Sequence, residues 1–367
     1  MTPISSISSN SSLTELAGQT LHIPDLVPLF ATWKQGVSPY YEQVKLFVDE
    51  RLVSLIKDET VLRKVRKGDL ALFTSCLLPD VEYEILEIAA LYTVWVFLWD
   101  DIVDGSEDPI SEGKSIEGEV EKAERLRDAS YSFIRFHLLG AGEGEVEPPK
   151  PSPACGLFAE MARRLRLMCR EETQIMAFCA SIEAYMEACV VEARWRVSRV
   201  LPSVKEFYEF RLQTSAVEML LGLSEMLNQV RLPSGAVELD ELKKMRTHAN
   251  KIGIIINELF SLKKELKDTI PLNLVAITMQ SHNLDLESAT RQIINSFYSH
   301  AHDFDRSAST LRSRVTPPVG NDNTKQADRL IGAYQALVTC VLTFSVESPR
   351  YGIQCDRQED QSFRITL

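Results

Sequence analysis

Several features that mark common classes of protein are missing from this sequence. Its seven cysteines are scattered, and no two of them stand in C-x-x-C spacing. This distribution fits reduced thiols better than a disulfide framework or a zinc site. No Lys or Arg precedes Lys34, and the Ser-rich beginning has no basic patch followed by an apolar run. We therefore expect neither a secretory signal nor a transit peptide.

Long apolar runs and positive charge are also scarce. No run of about 18 uncharged apolar residues occurs, so we predict a soluble cytoplasmic protein without stable membrane insertion. The net charge is −12, with 40 Lys and Arg against 52 Asp and Glu. Such an acidic chain lacks the basic face that nucleic-acid binding usually needs, and we predict no nucleic-acid partner. No internal repeat of about 20 to 50 residues is evident, which argues against a solenoid.

What the chain does have is apolar spacing of three and four over most of its length. This period is typical of amphipathic α-helices. The chain has 367 residues, of which 45% are hydrophobic, and this is enough for one sizeable core. We predict a flexible N-terminal segment over 1–22 and a single all-α domain over 23–367. The predicted helices span 39–57, 81–100, 119–138, 154–170, 172–198, 204–230, 238–266, 283–313 and 325–346.

An apolar helical run ends in three carboxylates, at Asp100, Asp101 and Asp104. Asp100 and Asp104 are four residues apart and project from one face of an α-helix, while Asp101 points to the side. Hard carboxylate oxygens suit Mg²⁺, which usually binds one or two carboxylates together with a substrate phosphate. The cluster therefore predicts a divalent-metal site. The alternative is an ordinary helix end, because Gly105 directly follows the cluster.

A second polar stripe occurs far along the chain, at Asn257, Ser261 and Glu265, with spacing i, i+4 and i+8. An amide oxygen, a hydroxyl and a carboxylate make a mixed hard-oxygen site of low charge, suited to a cation that is also bound to a highly charged ligand. Lys264 is placed to meet the anionic oxygens of that ligand as a point charge. The alternative is a solvated helix face. However, three isoleucines precede Asn257, and unpartnered polar groups in a buried segment cost several kcal/mol.

With these two motifs the chain resembles a class I terpene synthase of the fungal and bacterial kind. In that family an aspartate-rich motif of the type DDxx(x)D/E is paired with a motif of the type (N/D)Dxx(S/T)xxxE, which here spans Asn257 to Glu265. The resemblance implies a single terpene cyclase domain, an antiparallel helix bundle around a deep apolar cavity. It also implies three Mg²⁺ ions, or Mn²⁺ as a substitute, held on a substrate diphosphate. Glu258 stands where the family usually has Asp, at a position that is not a metal ligand.

The resemblance extends to two further elements. Arg211 lies 46 positions before Asn257, where the family has an arginine that senses the diphosphate. Arg350 and Tyr351 match an Arg-Tyr pair that closes over the diphosphate. Arg suits both positions because its planar fork stays charged and binds phosphate oxygens bidentately. Three nearby positions depart from the family pattern, in which a Trp, an Asp and a Gly are common: Phe344, Thr214 and Ser215.

The mechanism that the resemblance implies is loss of the diphosphate from an allylic carbon to leave a carbocation, with charge stabilisation as the main source of catalysis. The implied metal ligands are Asp100, Asp101, Asp104, Asn257, Ser261 and Glu265. The implied diphosphate contacts are Arg211, Lys264, Arg350 and Tyr351. Of these two sets, the resemblance gives direct catalytic roles to Asp100, Asp104, Arg211, Asn257, Ser261 and Glu265.

Aromatic side chains are expected to stabilise the carbocation. A cation–π contact is worth roughly 2 kcal/mol or more when it is desolvated. Phe97 lies one helical turn before Asp100, so we expect it to face the same cavity, and Phe344 is expected there by family position. We interpret three other aromatic residues as ordinary core: Trp95, Trp99 and Phe260.

The substrate follows from the kind of family member that the chain resembles. A stand-alone chain of this length resembles fungal sesquiterpene synthases most, so we predict cyclisation of the C15 substrate farnesyl diphosphate to a hydrocarbon or an alcohol. A geranylgeranyl (C20) substrate is the main alternative. A prenyltransferase would carry a second aspartate-rich motif in place of the Asn/Ser/Glu stripe, and none is visible. Outside enzymes, a helical scaffold or binding module has a similar composition. We expect a monomer or a homodimer.

Overall fold

The computed structural model of the chain describes residues 16–103, 117–140, 142, 144–169, 171–198, 200–231, 239–266, 271–315 and 321–367. Two short strands occur in these ranges, β1 (Thr20–Ile23) and β2 (Phe363–Thr366). All other regular elements there are helical, which confirms the predicted all-α class. The α-helices are α1 (Tyr41–Leu55), α2 (Glu59–Lys67), α3 (Leu70–Leu77), α4 (Tyr83–Val103), α5 (Glu117–Leu139), α6 (Cys155–Met168), α7 (Glu172–Ser198), α8 (Val204–Thr214), α9 (Val217–Leu227), α10 (Asp240–Glu265), α11 (Leu274–His282), α12 (Leu286–Val315) and α13 (Asn321–Glu347).

The long helices pack side by side into a bundle. Helix α10 lies against α12 and α13, α5 lies against α7, and α4 lies against α6. Large aromatic side chains are fully buried where these helices meet, among them Trp95, Trp99, Phe158 and Tyr185. Aromatic residues of this size contribute strongly to core stability because each removes a large area from water. The bundle therefore provides rigid helices for the side chains that the sequence singles out.

Two of these helices are apolar enough to resemble membrane spans. Among the described residues, Glu172–Ser198 and Asn323–Glu347 pass a test of length and hydropathy. Half of the most apolar window of the first is buried inside the protein, and 72% of that of the second. Burial of this extent is typical of helices in a protein core, where apolar faces meet other helices. Their hydropathy is therefore accounted for by packing within the bundle.

The cysteines are unpaired thiols, as the sequence predicts. All seven are free. Cys340 is fully buried, and its Sγ donates to the backbone oxygen of Phe73 at 3.2 Å. Burial raises the pKa of Cys76 to about 12, so this side chain stays a neutral thiol at neutral pH. Buried thiols of this kind act as small apolar core residues.

Local signals set the beginnings of the helices that carry the candidate site. Ser203 and Glu206 form a capping box at the start of α8. Ser203 Oγ accepts from the Glu206 N–H at 3.2 Å, and the Glu206 carboxylate accepts from the Ser203 N–H at 2.8 Å. Asn273 caps α11, because its Oδ1 accepts from the Val275 N–H at 2.9 Å. Such caps satisfy backbone donors that a helix start leaves unpaired. They fix the register of α8, which carries Arg211.

The prediction of one helix over 204–230 is wrong, because the chain breaks between α8 and α9. Ala216 has a left-handed backbone there, with φ of 60°, a conformation that costs a non-glycine residue about 1–2 kcal/mol. Asn250 on α10 holds the break from the side. Its Nδ2 donates to the Leu212 carbonyl at 2.7 Å, and its Oδ1 accepts from Ser215 Oγ at 2.8 Å. Tertiary contact therefore overrides a helix-favouring sequence.

The pairing of β1 with β2 joins the two ends of the described chain. The strands are antiparallel, with Thr20 opposite Thr366 and Ile23 opposite Phe363. The Phe363 ring lies 5.2 Å from the ring of Phe260 on α10. Strand β1 falls partly within the segment 1–22 that the sequence predicts to be flexible, so ordered structure begins before residue 23. Residues 1–15 of that segment lie outside the described residues.

Candidate active site

The last turn of α4 carries Asp100 and Asp101. Tyr185 on α7 donates a hydrogen bond from its hydroxyl to Asp100 Oδ1 at 2.7 Å. Asp101 Oδ1 lies 3.7 Å from Nη2 of Arg350, which follows α13. Asp104, the third carboxylate of the motif, lies outside the described residues. The first motif is therefore held by α7 on one side and faces the predicted Arg-Tyr pair on the other.

Asn257 on α10 is the meeting point of two predicted diphosphate contacts. Its Oδ1 accepts a hydrogen bond from Arg211 Nη2 at 2.8 Å. Its Nδ2 donates to the hydroxyl of Tyr351 at 2.9 Å. The structure thus brings together three residues that are far apart in the sequence. Both the oxygen and the nitrogen of the Asn257 side-chain amide take part in these contacts.

The other two members of the stripe, Ser261 and Glu265, follow on the same face of α10. Ser261 Oγ is buried, and no partner in the described part of the chain meets hydrogen-bond geometry with it. The Glu265 carboxylate lies one turn further along and accepts from Asn273 Nδ2 at 2.9 Å. Burial raises the pKa of Glu265, while hydrogen bonding from Asn273, the nearby Ser261 hydroxyl and the charges of Arg211 and Lys264 lower it. A cation bound here would stabilise the ionised form of Glu265 and give the buried Ser261 oxygen a partner.

Glu258 holds Arg211 in place, a role that the sequence analysis missed. Its side chain is 1% exposed, and its Oε1 accepts from Arg211 Nε at 2.8 Å. Its Oε2 accepts from the Leu274 N–H, at the start of α11, at 2.9 Å. Burial raises the pKa of the Glu258 carboxyl, and the charge of Arg211 opposes that rise. The sequence did offer a signal for this role. Glu258 lies in an apolar stretch directly after three isoleucines and Asn257, and a charge buried there needs an oppositely charged partner.

Arg350 and Tyr351 touch different motifs although they are neighbours in the chain. The Arg350 guanidinium lies over the Phe97 ring, 5.0 Å from its centroid, besides its approach to Asp101. Tyr351 is bound to Asn257, and burial raises the pKa of its hydroxyl. The two motifs, on α4 and α10, are therefore linked through one dipeptide at the end of α13. This arrangement places positive charge beside the carboxylates of the first motif.

The aromatic candidates form a cluster under Arg350. The Phe97 and Phe344 rings lie 5.9 Å apart. Phe73 on α3, which the sequence analysis did not single out, lies 5.5 Å from the Phe97 ring and 5.2 Å from the Phe344 ring. All three pairs meet edge to face, a favourable geometry for aromatic rings. Three other aromatic residues are buried in the core, in agreement with the interpretation from sequence: Trp95, Trp99 and Phe260.

The positions that depart from the family pattern near Arg211 still make contacts. Thr214 Oγ1 accepts from Arg211 Nη1 at 3.4 Å. Ser215 is bound to Asn250, which holds the break after α8. The two hydroxyls thus connect Arg211 to the helix break, at positions where the family commonly has Asp and Gly.

The described side chains fit a divalent cation. They offer carboxylate, amide and hydroxyl oxygens, which are the donors that Mg²⁺ and Mn²⁺ prefer in proteins. Ser261 Oγ within this set supports the fit, because it is buried close to the Glu265 carboxylate and offers a hydroxyl oxygen beside a carboxylate oxygen. The set comprises Asp100, Asp101, Asn257, Ser261 and Glu265.

The chain is similar to known proteins over most of its length. The family described as terpene synthase family 2, C-terminal metal binding, matches residues 92–302. The sesquiterpene cyclase hepA of Aspergillus oryzae is 24% identical to this chain over 359 residues, covering 96% of this chain and 94% of that protein. The terpene cyclase braA of Annulohypoxylon truncatum is 23% identical over 350 residues, covering 92% and 88%. The matched region contains both predicted metal motifs.

A solved structure shares the fold. The crystal structure of germacradien-4-ol synthase from Streptomyces citricolor superposes with a TM-score of 0.67 at 17% identity. The match covers 85% of this chain and 96% of that one. At this level of identity the likeness shows the helical architecture alone.

Proposed function

The chain belongs to terpene synthase family 2, and we propose that it ionises farnesyl diphosphate in the presence of Mg²⁺ and cyclises the resulting carbocation to a sesquiterpene. Membership of this family makes the chain a terpene synthase that binds a divalent metal and acts on a small prenyl diphosphate. One observation carries the finer proposal, the contact of Asn257 with both Arg211 and Tyr351. It unites a metal ligand with two diphosphate contacts of the proposed mechanism.

The metal would be held by the two oxygen-rich motifs. These residues are Asp100, Asp101, Asp104, Asn257, Ser261 and Glu265, and three Mg²⁺ ions are expected, with Mn²⁺ as a possible substitute. When bound, such ions neutralise the charge that develops on a leaving diphosphate. The acidic motifs of a chain with net charge −12 cannot attract this anion by themselves, which is why the cationic side chains matter.

Arg211 and Arg350 are the residues that meet the diphosphate as it leaves. In the structure each guanidinium rests on protein groups, Arg211 on Glu258 and Asn257, and Arg350 near Asp101. Both keep N–H donors for phosphate oxygens because a guanidinium has five. Tyr351 supplies a hydroxyl beside Asn257, and Lys264 adds a mobile ammonium at the exposed edge of the site. Preorganised donors of this kind act where charge develops, which is the main way such a site lowers a barrier.

The carbocation left behind must be kept from water and folded against an apolar wall. Phe97 and Phe344 are the aromatic side chains proposed for this purpose. They form one cluster with Phe73, and the Arg350 guanidinium lies over the Phe97 ring. Premature capture by water would give an acyclic alcohol, so exclusion of water decides the product class. If the last cation loses a proton, the product is a hydrocarbon. If it takes up water, the product is an alcohol.

The C15 substrate is supported by the relatives. A sesquiterpene cyclase matches almost the whole length of this chain. No second aspartate-rich motif of the prenyltransferase type is visible in the sequence. A monomer or homodimer in the cytoplasm remains the prediction for the state in which the enzyme works.

The test is incubation of the purified protein with Mg²⁺ and, separately, geranyl, farnesyl or geranylgeranyl diphosphate, followed by gas chromatography with mass spectrometry of a hexane extract. A cyclic C15 product from farnesyl diphosphate alone is expected. A cyclic product from the C20 substrate alone would assign the enzyme to diterpene synthesis. A longer prenyl diphosphate formed only when isopentenyl diphosphate is added would make it a prenyltransferase instead.

A further inference from the structure

Two histidines and an aspartate meet between α10 and α12, away from both metal motifs. His248 lies on α10, and His300 and Asp303 lie on α12, which packs along it. His248 precedes Asn257 by nine residues, about 13 Å along a helix. The three side chains, here called the His-His-Asp cluster, are each half-buried. None of them has a part in the mechanism proposed above.

The geometry of the cluster resembles that of a tetrahedral metal site. His248 Nδ1 and His300 Nδ1 are 3.1 Å apart. Two nitrogens bound to one tetrahedral Zn²⁺ at about 2.0–2.1 Å lie about 3.3 Å from each other, so only a small movement separates the pair from that arrangement. One ring nitrogen of each histidine and one Asp303 carboxylate oxygen all lie within 4.8 Å of one another. Coordination of one ion by all three side chains therefore requires the Asp303 carboxylate to move towards the two rings.

The surroundings prepare His300 as a ligand. Its Nε2 lies 3.5 Å from Ser296 Oγ, one turn earlier on α12. If Nε2 carries the proton and donates it to this hydroxyl, the Nδ1 lone pair faces His248, an orienting contact that metal-binding histidines commonly have. Burial lowers the pKa of His300 to about 4 and also lowers that of His248. Both rings are therefore neutral at neutral pH, the form in which imidazole binds metal.

Charged groups around the cluster oppose and limit cation binding. Arg306 forms an ion pair with Asp303, one turn away on the exposed side of α12. Lys251 and Lys244 on α10 act on His248 by their positive charge. The Lys251 ammonium also lies over the Tyr208 ring, 5.6 Å from its centroid. Arg306 therefore competes with a cation for the Asp303 carboxylate, which predicts an affinity that rises when Arg306 loses its charge.

We propose that the His-His-Asp cluster is a second metal site, which takes Zn²⁺ or a similar borderline transition metal rather than Mg²⁺. The donor chemistry separates the two sites. Two imidazoles and one carboxylate suit Zn²⁺, whereas the all-oxygen motifs suit Mg²⁺. With three protein ligands, the fourth position is left for water. Because the ligands come from two helices, the ion links α10, which carries Asn257, to α12.

The test uses full-length protein stripped with a chelator and then held in excess Mg²⁺, so that the oxygen-rich motifs are saturated. Zn²⁺ is titrated by calorimetry, and Co²⁺ is added separately as a spectroscopic probe of tetrahedral coordination. The variants are His248→Gln and His300→Gln. The matched control is His302→Gln, since His302 is exposed on the same helix. Arg306→Gln provides a variant that should bind more tightly.

The expected result is one equivalent of Zn²⁺ bound in the presence of Mg²⁺, together with the visible absorption bands of tetrahedral Co²⁺. His248→Gln and His300→Gln should each weaken Zn²⁺ binding at least about 100-fold, the upper end of what loss of a mere supporting partner costs. His302→Gln should leave the affinity unchanged, and Arg306→Gln should raise it. Terpene synthase activity with Mg²⁺ in the glutamine variants shows that they are folded.

Two outcomes would overturn the proposal. One is the absence of Zn²⁺ binding once Mg²⁺ is in excess, which would leave the 3.1 Å contact as an N–H···N hydrogen bond between neutral rings. The other is Zn²⁺ binding that is equally strong in His248→Gln and His300→Gln. Neither outcome bears on the function proposed for the oxygen-rich motifs.

Discussion

Asn257 Nδ2 donates a hydrogen bond to the Tyr351 hydroxyl at 2.9 Å, and this contact joins a helix in the middle of the chain to a dipeptide near its end. Because the other end of the same amide accepts from Arg211, the three side chains form a continuous row. A metal ion bound at Asn257 Oδ1 would compete with Arg211 Nη2 for the same oxygen. Arg211 would stay anchored to Glu258 through its Nε while its Nη2 donor becomes available to the diphosphate. The row would therefore couple metal binding to the hydrogen bonding of Arg211, the proposed sensor of the diphosphate.

Replacing a motif residue should abolish turnover without unfolding the protein. Asp100→Asn and Asn257→Ala each remove a metal ligand of the proposed mechanism. We expect a loss of about 100-fold or more, the scale of effect seen when one charge-stabilising group is removed. Turnover of farnesyl diphosphate is measured alongside circular dichroism. Asn295→Ala, at an exposed position on α12, is the matched control, and full activity in either motif variant would contradict the assignment.

Removal of divalent metal should stop the reaction. Chelation with EDTA is expected to abolish turnover, and excess Mg²⁺ should restore it, because the oxygen-rich motifs bind the diphosphate only through metal. The measurement is the rate of sesquiterpene formation before and after chelation. Turnover that persists in the fully chelated enzyme would exclude the proposed mechanism.

Tyr351→Phe should slow the reaction moderately. The change removes the acceptor of Asn257 Nδ2 and a hydroxyl near the diphosphate, but it keeps the ring. A net loss of about 1–1.5 kcal/mol per hydrogen bond corresponds to roughly a 5- to 10-fold fall in kcat/KM. Tyr298→Phe on α12 is the comparison, and its rate should match that of the unaltered enzyme. An unchanged rate in Tyr351→Phe would show that the hydroxyl has no part in the reaction.

Glu258→Ala should destabilise the fold strongly. It leaves the Arg211 guanidinium without its carboxylate partner and the Leu274 N–H without its acceptor. Breaking a buried ion pair from one side costs about 3–5 kcal/mol, and denaturant titration measures this loss of unfolding free energy. Glu287→Ala breaks an exposed pair with Arg291 and should cost under about 1 kcal/mol. Equal effects of the two changes would contradict a buried structural role for Glu258.

Ala216→Gly should stabilise the protein, whereas glycine at an exposed helical alanine should destabilise it. The left-handed backbone at Ala216, with φ of 60°, costs a non-glycine residue about 1–2 kcal/mol, a cost that glycine does not have. Ala129→Gly in α5, at an exposed position, should lose about 1 kcal/mol. Opposite shifts of the denaturation midpoint are expected. A loss of stability in Ala216→Gly would show that the conformation is not strained.

The sequence was a good guide where one helix carries the whole signal. Long helices such as α4, α7 and α10 have enough apolar repeats to be recognised from their period alone. The stripe at Asn257, Ser261 and Glu265 was visible because its members share one helical face. The short helices α2, α3 and α11 were missed, since few turns give little periodicity and packing decides their formation.

Contacts between distant segments were beyond the sequence. Glu258 looked like a mild departure from a motif, and only its burial against Arg211 and Leu274 shows what it does. Phe73 resembled any core aromatic residue until the fold placed it against Phe97 and Phe344. Asn250 gave no local signal for the break after α8, because its partners lie 35 and 38 residues away.

By itself the sequence determined the helical class and predicted the two oxygen-rich motifs, because each is encoded by spacing within a single helix. The predicted diphosphate contacts came from the resemblance to a family. Only the tertiary structure decided which groups meet. It placed Arg350 beside Asp101, set Tyr351 on Asn257 and brought His248 against His300. The physical reason is that the spacing of apolar and polar residues defines the faces of a single helix, whereas a site forms where the faces of several helices pack together.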